Sequence, residues 1–326
     1  MKTTTNAHYN VDMAKMKDLG KSKPWKQNPK YFTSVKMSAL ALIKIVMHAR
    51  TGQGKQGIIS NDKSNWIEVM GLLQGYYTEG EFVIMDSFAM PVDASEVECS
   101  MNEASQLYMI NYLETSEKLG KKERAVGWYH SHPGYSCFLS GIDVNTQTLN
   151  QTSQDPFLAI VVDPVRTIST GKVEIKAFRT YPENYTPDDP TGGWDWDSIP
   201  QSKIEEFGVY MKRYYELPIT VFRSEADAVE LDLLWNKYWM KTLSTSPLVT
   251  NRFFTDGQLK AVTQKLDKVE HSSSRGGGRR SKGDKPSEGV SASSKAIATV
   301  SNEMLQGLMG MTVKQALFNP SAEGKK

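Results

Sequence analysis

Cysteine is almost absent from this sequence: 326 residues hold only Cys99 and Cys137. Two thiols exclude a disulfide framework and a zinc site built from several thiolates. Charge of either sign is not in excess. With 39 Lys and Arg against 37 Asp and Glu, the net charge is +2 at pH 7, too small to argue for nucleic acid or a membrane surface. No stretch approaches the roughly 18 apolar residues of a membrane span. The opening MKTTTNAHYNVDMAKMK lacks the apolar segment of a secretory signal, so an intracellular protein is expected. Histidine is scarce as well, at five. What is plentiful is ordinary: 39% hydrophobic and 23% charged residues, enough apolar material for one large domain or two smaller ones.

Along the chain, the first 29 residues are polar and lysine-rich and are expected to form a flexible arm. YFTSVKMSALALIKIVMHAR places Phe32, Val35, Ala39, Leu42, Ile43 and Val46 at helical spacing. Residues 51–65 form a Gly/Asn/Asp-rich loop. WIEVMGLLQG and EFVIMDSFAM predict a pair of strands, and an acidic stretch after Pro91 leads to a helix around Leu107, Ile110 and Leu113. RAVGWYH, PFLAIVVD and KVEIKAFRT predict three more strands, the last two separated by the turn-forming PVRTISTG. From about Ser198 the pattern turns helical, with a capping box at Ser224 and Asp227 opening a helix that carries Leu231, Leu234, Trp235 and Tyr238. Residues 271–295 are low in complexity and predict a disordered linker, and residues 296–318 a final amphipathic helix with Val300, Met304, Leu308 and Met311 in one stripe. Strands and helices mix without regular βαβ alternation, which predicts an α+β or mixed α/β sheet.

Two of the five histidines, His130 and His132, flank one serine in GWYHSHPGYSCFLSGID. On an extended strand end, residues i and i+2 point to one side. Seven residues separate His132 from Ser140, and two more separate Ser140 from Asp143. The Pro133-Gly134 turn allows the chain to fold back and bring Asp143 towards the histidines. A catalytic zinc site uses three protein ligands and keeps one position for water, and a carboxylate can be the third ligand. The water's proton still needs a base. Glu68, in the apolar run WIEVMGLL, is the candidate, because a carboxylate there otherwise lacks a reason. Ser140 can donate to a developing oxyanion.

His-x-His, seven residues, Ser-x-x-Asp and an upstream Glu on a strand resemble the JAMM motif of the MPN-domain zinc isopeptidases. EVMGLL, IMDSFAMPV, GWYHSHPGY, LSGIDVNTQ, DPVRTISTGKV and LLWNKYW extend the likeness to the subunit 5 family of the COP9 signalosome, over most of residues 30–245 and more faintly the last helix. The resemblance implies a mixed α/β MPN domain with a central mixed β-sheet flanked by helices, followed by a C-terminal helical assembly region over 246–326. It implies one zinc ion held by His130, His132 and Asp143, with Glu68 as general acid/base and Ser140 as oxyanion support. The implied reaction is removal of the ubiquitin-like protein Nedd8 from cullins. The implied partners are Nedd8–cullin conjugates and the other signalosome subunits, notably the other MPN subunit, with no nucleic acid or membrane. The implied location is cytoplasm and nucleus. It also implies that Glu96, in the acidic stretch, blocks the metal's open position in the free subunit.

Other readings stay open. The histidines can be a hydrogen-bonded structural pair, and Asp143 can serve as a helix N-cap. Cys137 fits a buried thiol better than a fourth ligand, and His48 fits a helix C-terminus. A metal-free MPN scaffold and a proteasome-lid deubiquitinase acting on ubiquitin are the two competing functions.

Overall fold

The computed structural model describes residues 6–9, 11–53, 66–91, 103–170, 172–182, 185, 187, 199, 203–229, 252–274 and 286–318. Eight strands form one mixed sheet: β1 (Ser34–Ser38), β2 (Met70–Tyr77), β3 (Glu81–Ala89), β4 (Arg124–Ser131), β5 (Leu158–Asp163), β6 (Glu174–Thr180), β7 (Tyr214–Leu217) and β8 (Ile219–Phe222). Their order is β7-β6-β5-β4-β2-β3-β1-β8. β4 and β5 run parallel, as do β1 and its neighbours β3 and β8, and the other pairs are antiparallel. Only Pro218 separates β7 from β8, the two edge strands. The sheet therefore curls until its edges meet at that residue, which also accepts the Val35 N–H through its carbonyl at 2.9 Å. Proline suits an edge because it has no N–H to offer a ladder.

The helices are α1 (Met13–Ser22), α2 (Ala39–Thr51), α3 (Glu103–Lys118), α4 (Gly141–Ser153), α5 (Pro164–Thr170), α6 (Ile204–Tyr210), α7 (Arg252–Ser274) and α8 (Pro286–Phe318). Helix α2 lies against one face of the sheet, burying Ala41, Ile45 and Ala49 among Val35, Ile84, Tyr129, Ile160 and Leu217. The other face packs Leu72, Phe88, Trp128, Ala159 and Val161 against Val144 of α4 and against Met109, Tyr112 and Leu113 of α3. Burial on both faces explains why β5 reads LAIVVD with every position buried.

Several expectations change. The predicted first helix begins only at Ala39, where Ser38 caps it by accepting from Ala41 N. The preceding SVKMS is β1, because pairing on both sides by β3 and β8 outweighs its helical spacing. Ile43 accordingly faces outward. The N-terminal arm is not loose over its described length: Asp12 caps α1, and Trp25 is buried against Phe32, Tyr31 and Tyr77. On α3, Leu107 and Ile110 are exposed, and the packed face is the neighbouring one. PVRTIST is a short helix rather than a turn. β7 and β8 interrupt the region expected to be helical. The Ser224–Asp227 capping hydrogen bonds are present, at 2.9 and 3.1 Å. Leu231, Leu234, Trp235 and Tyr238, Glu96, and loop residues 54–65 lie outside the described residues.

The described residues form two compact units, one with all eight strands, α1–α4 and nearly all of α6, the other with α5 from Val165 on, α7 and α8. Helix α8 starts at Pro286, ten residues earlier than expected, so only 275–285 of the predicted linker are not part of described helix. Pro286 at the first helical position explains the start, since its missing N–H costs nothing there. α7 and α8 pack on each other, with Ala296 and Val300 of α8 buried.

Candidate metal centre

Strand β4 carries Trp128 and His130 on one face, and His132 follows one residue beyond the strand end. His132 N–H donates to Val162 O of parallel β5 at 2.9 Å, so the backbone stays extended and both imidazoles point the same way. Their Nε2 atoms are 3.0 Å apart. The chain then turns at Pro133-Gly134, runs through Tyr135–Leu139 and enters α4. Asp143 Oδ2 lies 3.4 Å from His130 Nε2 and 3.5 Å from His132 Nε2. All three side chains are buried. Among the described residues they are the one group of His, Cys, Asp and Glu side chains placed to share an ion.

Asp143 is not the N-cap of α4. Ser140 is, and Asp143 is the third helical residue of a capping box. Ser140 N–H and Oγ–H both donate to Asp143 Oδ2, at 2.8 and 2.7 Å, and Asp143 N–H donates to Ser140 Oγ at 3.2 Å. The Ser-x-x-Asp spacing thus does two jobs: it starts the helix and aims a carboxylate oxygen at the histidines.

The donor set fits a zinc ion. With Zn–N and Zn–O bonds of about 2.0–2.1 Å, a tetrahedron has edges of about 3.3 Å, close to the separations found. His132 Nδ1 faces Ser136 O at 3.2 Å. A carbonyl only accepts, so Nδ1 carries the proton and Nε2 presents a lone pair. The His132 lone pair, His130 Nε2 and a carboxylate oxygen converging in a buried pocket need a cation or protons to satisfy them. The electrostatics agree. Burial pushes the His130 pKa down, yet Asp143, with a smaller contribution from Glu68, raises it above the ordinary value. Burial pushes Asp143 up, yet the two histidines hold it well below the usual carboxylate range. The pocket favours positive charge at the point the three groups face.

Glu68 does not lie within a strand. It sits two residues before β2 and is half-buried, and its charge is felt at His130. Its neighbour Val69 is tied to Ser131, the serine between the two histidines. Cys137 is buried with its thiol towards Glu174 O at 3.5 Å and takes no part in the group. His48, in the last turn of α2, faces the Tyr129 hydroxyl at 2.9 Å, on the side of the sheet away from the site. His8, expected in a mobile arm, packs its ring on Phe222 at 4.7 Å.

The sequence reading missed the supports of the site. Trp128 stacks on His130 at 4.6 Å and donates from Nε1 to Gln147 Oε1 of α4 at 2.8 Å, and Gln147 Nε2 donates to Phe157 O. Tyr214 of β7 accepts from Leu139 N–H just before the cap. Trp128 was findable by alternation, two residues before His130 on the same face.

A family model described as JAB1/Mov34/MPN/PAD-1 ubiquitin protease matches residues 30–156, and one described as Cop9 signalosome subunit 5 C-terminal domain matches 244–319. COP9 signalosome complex subunit 5 of Dictyostelium discoideum is 48% identical over 91% of this chain and 86% of its own length. Subunit 5a of Arabidopsis thaliana is 44% identical over 99% of this chain and 89% of its own. The chain belongs to the COP9 signalosome subunit 5 family. Subunit 5 of Drosophila melanogaster, 43% identical over 97% and 92% of the two chains, extends the family match across animals and plants. The match runs through both units, so the helical C-terminal region is as much a family feature as the histidine motif.

Proposed function

We propose that this chain is the zinc-dependent isopeptidase of a COP9 signalosome and hydrolyses the bond between Nedd8 and a cullin lysine. The observation that carries the reading is the buried triangle of His130, His132 and Asp143 in a chain matched along its length by signalosome subunits. A metal-free scaffold has no need to bury two imidazoles and a carboxylate facing one point. The lid-type deubiquitinase loses support because the C-terminal match is to the signalosome subunit.

His130, His132 and Asp143 would hold zinc, which supplies Lewis acidity that polarises a carbonyl and makes water nucleophilic near neutral pH. Glu68 accepts the proton of the water that adds to the isopeptide carbon, then delivers it to the lysine nitrogen as the C–N bond breaks. Ser140 holds Asp143 in line, and its hydroxyl, redirected when substrate binds, supports the oxyanion. Glu96, which lies outside the described residues, is the residue the family resemblance implies for restraint of the free chain, and Glu96→Ala would then raise basal activity. The other signalosome subunits, notably its second MPN subunit, are the partners, and a cytoplasmic and nuclear location goes with these substrates. Imaging of a tagged chain tests the location.

The deciding experiment gives a Nedd8–cullin conjugate and ubiquitin chains to the assembled complex, with Glu68→Gln as control. The reading requires release of Nedd8 by the wild type and a loss of about 10²- to 10⁴-fold in the control with zinc retained. Cleavage of ubiquitin chains alone would return the lid-type alternative.

A further inference from the structure

The buried carboxylate of Asp163 takes no part in the chemistry above. It is the last residue of β5, fully buried, and reaches across to the turn that follows His132. Gly134 N–H donates to its Oδ1 and Ser136 N–H to its Oδ2, both at 2.9 Å. Both donors belong to residues in the left-handed region, Gly134 at φ 85° and Ser136 at φ 74°. Glycine adopts that conformation freely. Serine does not, so something must hold it there. The conformation matters, because it turns Ser136 O towards His132 Nδ1 at 3.2 Å. The same turn lays the Tyr135 ring on the His132 imidazole, with centroids 4.6 Å apart.

We propose that Asp163 is a positioning residue for the metal: through the strained Pro133–Ser136 turn it sets the tautomer and orientation of His132. The chain of contacts is short. The carboxylate accepts from two backbone N–H groups, the turn they fix presents the Ser136 carbonyl, and that carbonyl takes the Nδ1 proton. His132 then offers Nε2 as a lone pair on the side of His130 and Asp143. Supporting partners of this kind hold ligands in place before the metal arrives, and their loss weakens metal binding by about 10- to 100-fold. The inference rests on the zinc reading of the site.

The test uses the full chain and zinc itself. Zinc affinity is measured by competition with a chelator for wild type, for Asp163→Asn, and for Asp163→Asn with Ser136→Gly. Asparagine can accept from one of the two N–H groups but turns an NH₂ donor towards the other. The expected result is a zinc affinity about 10- to 100-fold weaker in Asp163→Asn, with a changed visible spectrum of the cobalt-substituted protein. Adding Ser136→Gly restores part of the affinity, because glycine holds φ 74° without strain, and this double variant also serves if the single one does not fold. A residue that only stabilised the fold would lower melting temperature and leave zinc affinity and cobalt spectrum unchanged, and that result overturns the proposal. So does an affinity loss that Ser136→Gly leaves untouched. Nitrogen spectra of the metal-free wild type give a readout independent of zinc: His132 should be the Nδ1–H tautomer, and finding Nε2–H refutes the inference. Failure of the wild type to bind zinc at all would instead bring down the reading of the site.

Discussion

Ser131 clamps Val69 from two directions. Val69 N–H donates to Ser131 Oγ at 3.0 Å, and Ser131 N–H donates to Val69 O at 3.0 Å. The serine between the two histidines thus fixes the residue next to Glu68, and the end of β4 carries His130 and ties down the segment of Glu68. Ser131→Ala should leave the half-buried Val69 N–H without this partner, costing about 0.5–1.5 kcal/mol of stability. With the base less well held, kcat should fall while zinc content stays at one per chain. Wild-type kcat in this variant would separate the clamp from catalysis.

Asp143 closes the capping box and faces both histidines, and under the zinc reading its two roles can be divided. Asparagine keeps one carbonyl oxygen to accept from Ser140 but no charge for a cation. Asp143→Asn is therefore expected to melt within a few degrees of the metal-free wild type, to lose zinc, and to lose hydrolysis. Removing zinc from the wild type with a chelator should reproduce the loss of activity, and adding it back should reverse the loss only in the wild type. An Asp143→Asn chain that kept its zinc would take this residue out of the ligand set.

Stability should carry a pH signature away from the site. Asp86 on β3 bridges Lys44 of α2 and Lys121, with Lys121 Nζ at 2.8 Å. Burial pushes the carboxyl pKa up, but the two lysines and the Ser87 N–H bring it below the ordinary value. A depressed folded pKa adds stability that is fully present above the unfolded value of about 3.9 and is lost as pH falls through the folded one. The lysines are 37% and 43% exposed, so screening limits the cost of Asp86→Asn at pH 7 to about 1 kcal/mol. Denaturant melts should show that gap closing below about pH 4; a constant gap would mean the pairing is not its source.

Helix α8 keeps apolar side chains in the open: Leu305, Leu308 and Met309 are exposed, while Val300 is buried and Met304 half-buried. α7 covers only part of the stripe, and the rest suits helices of partner subunits. Deleting 296–326 should leave zinc content unchanged and reduce co-purification with the signalosome. Normal incorporation would show that assembly does not need this helix.

Local sequence was enough for the donors of the site. His130 and His132 follow from the two-residue period of a strand, and Ser140 with Asp143 from the spacing of a capping box, because both patterns are set within a few bonds. The strands around them were equally legible, since β4 and β5 are buried runs with clear ends. Where the sequence misled, pairing partners far along the chain decided. SVKMS has helical spacing, yet it is a strand because β3 and β8 flank it. Trp25 looks like part of a polar arm, yet it fills a gap beside Phe32 and Tyr77. Glu68 could be named but not placed, since its separation from the histidines depends on the β2–β4 register and on Ser131. Asp163 could not be named at all. Its partners are 27 and 29 residues away, and only the parallel pairing of β4 with β5 brings that carboxylate under the turn that holds His132.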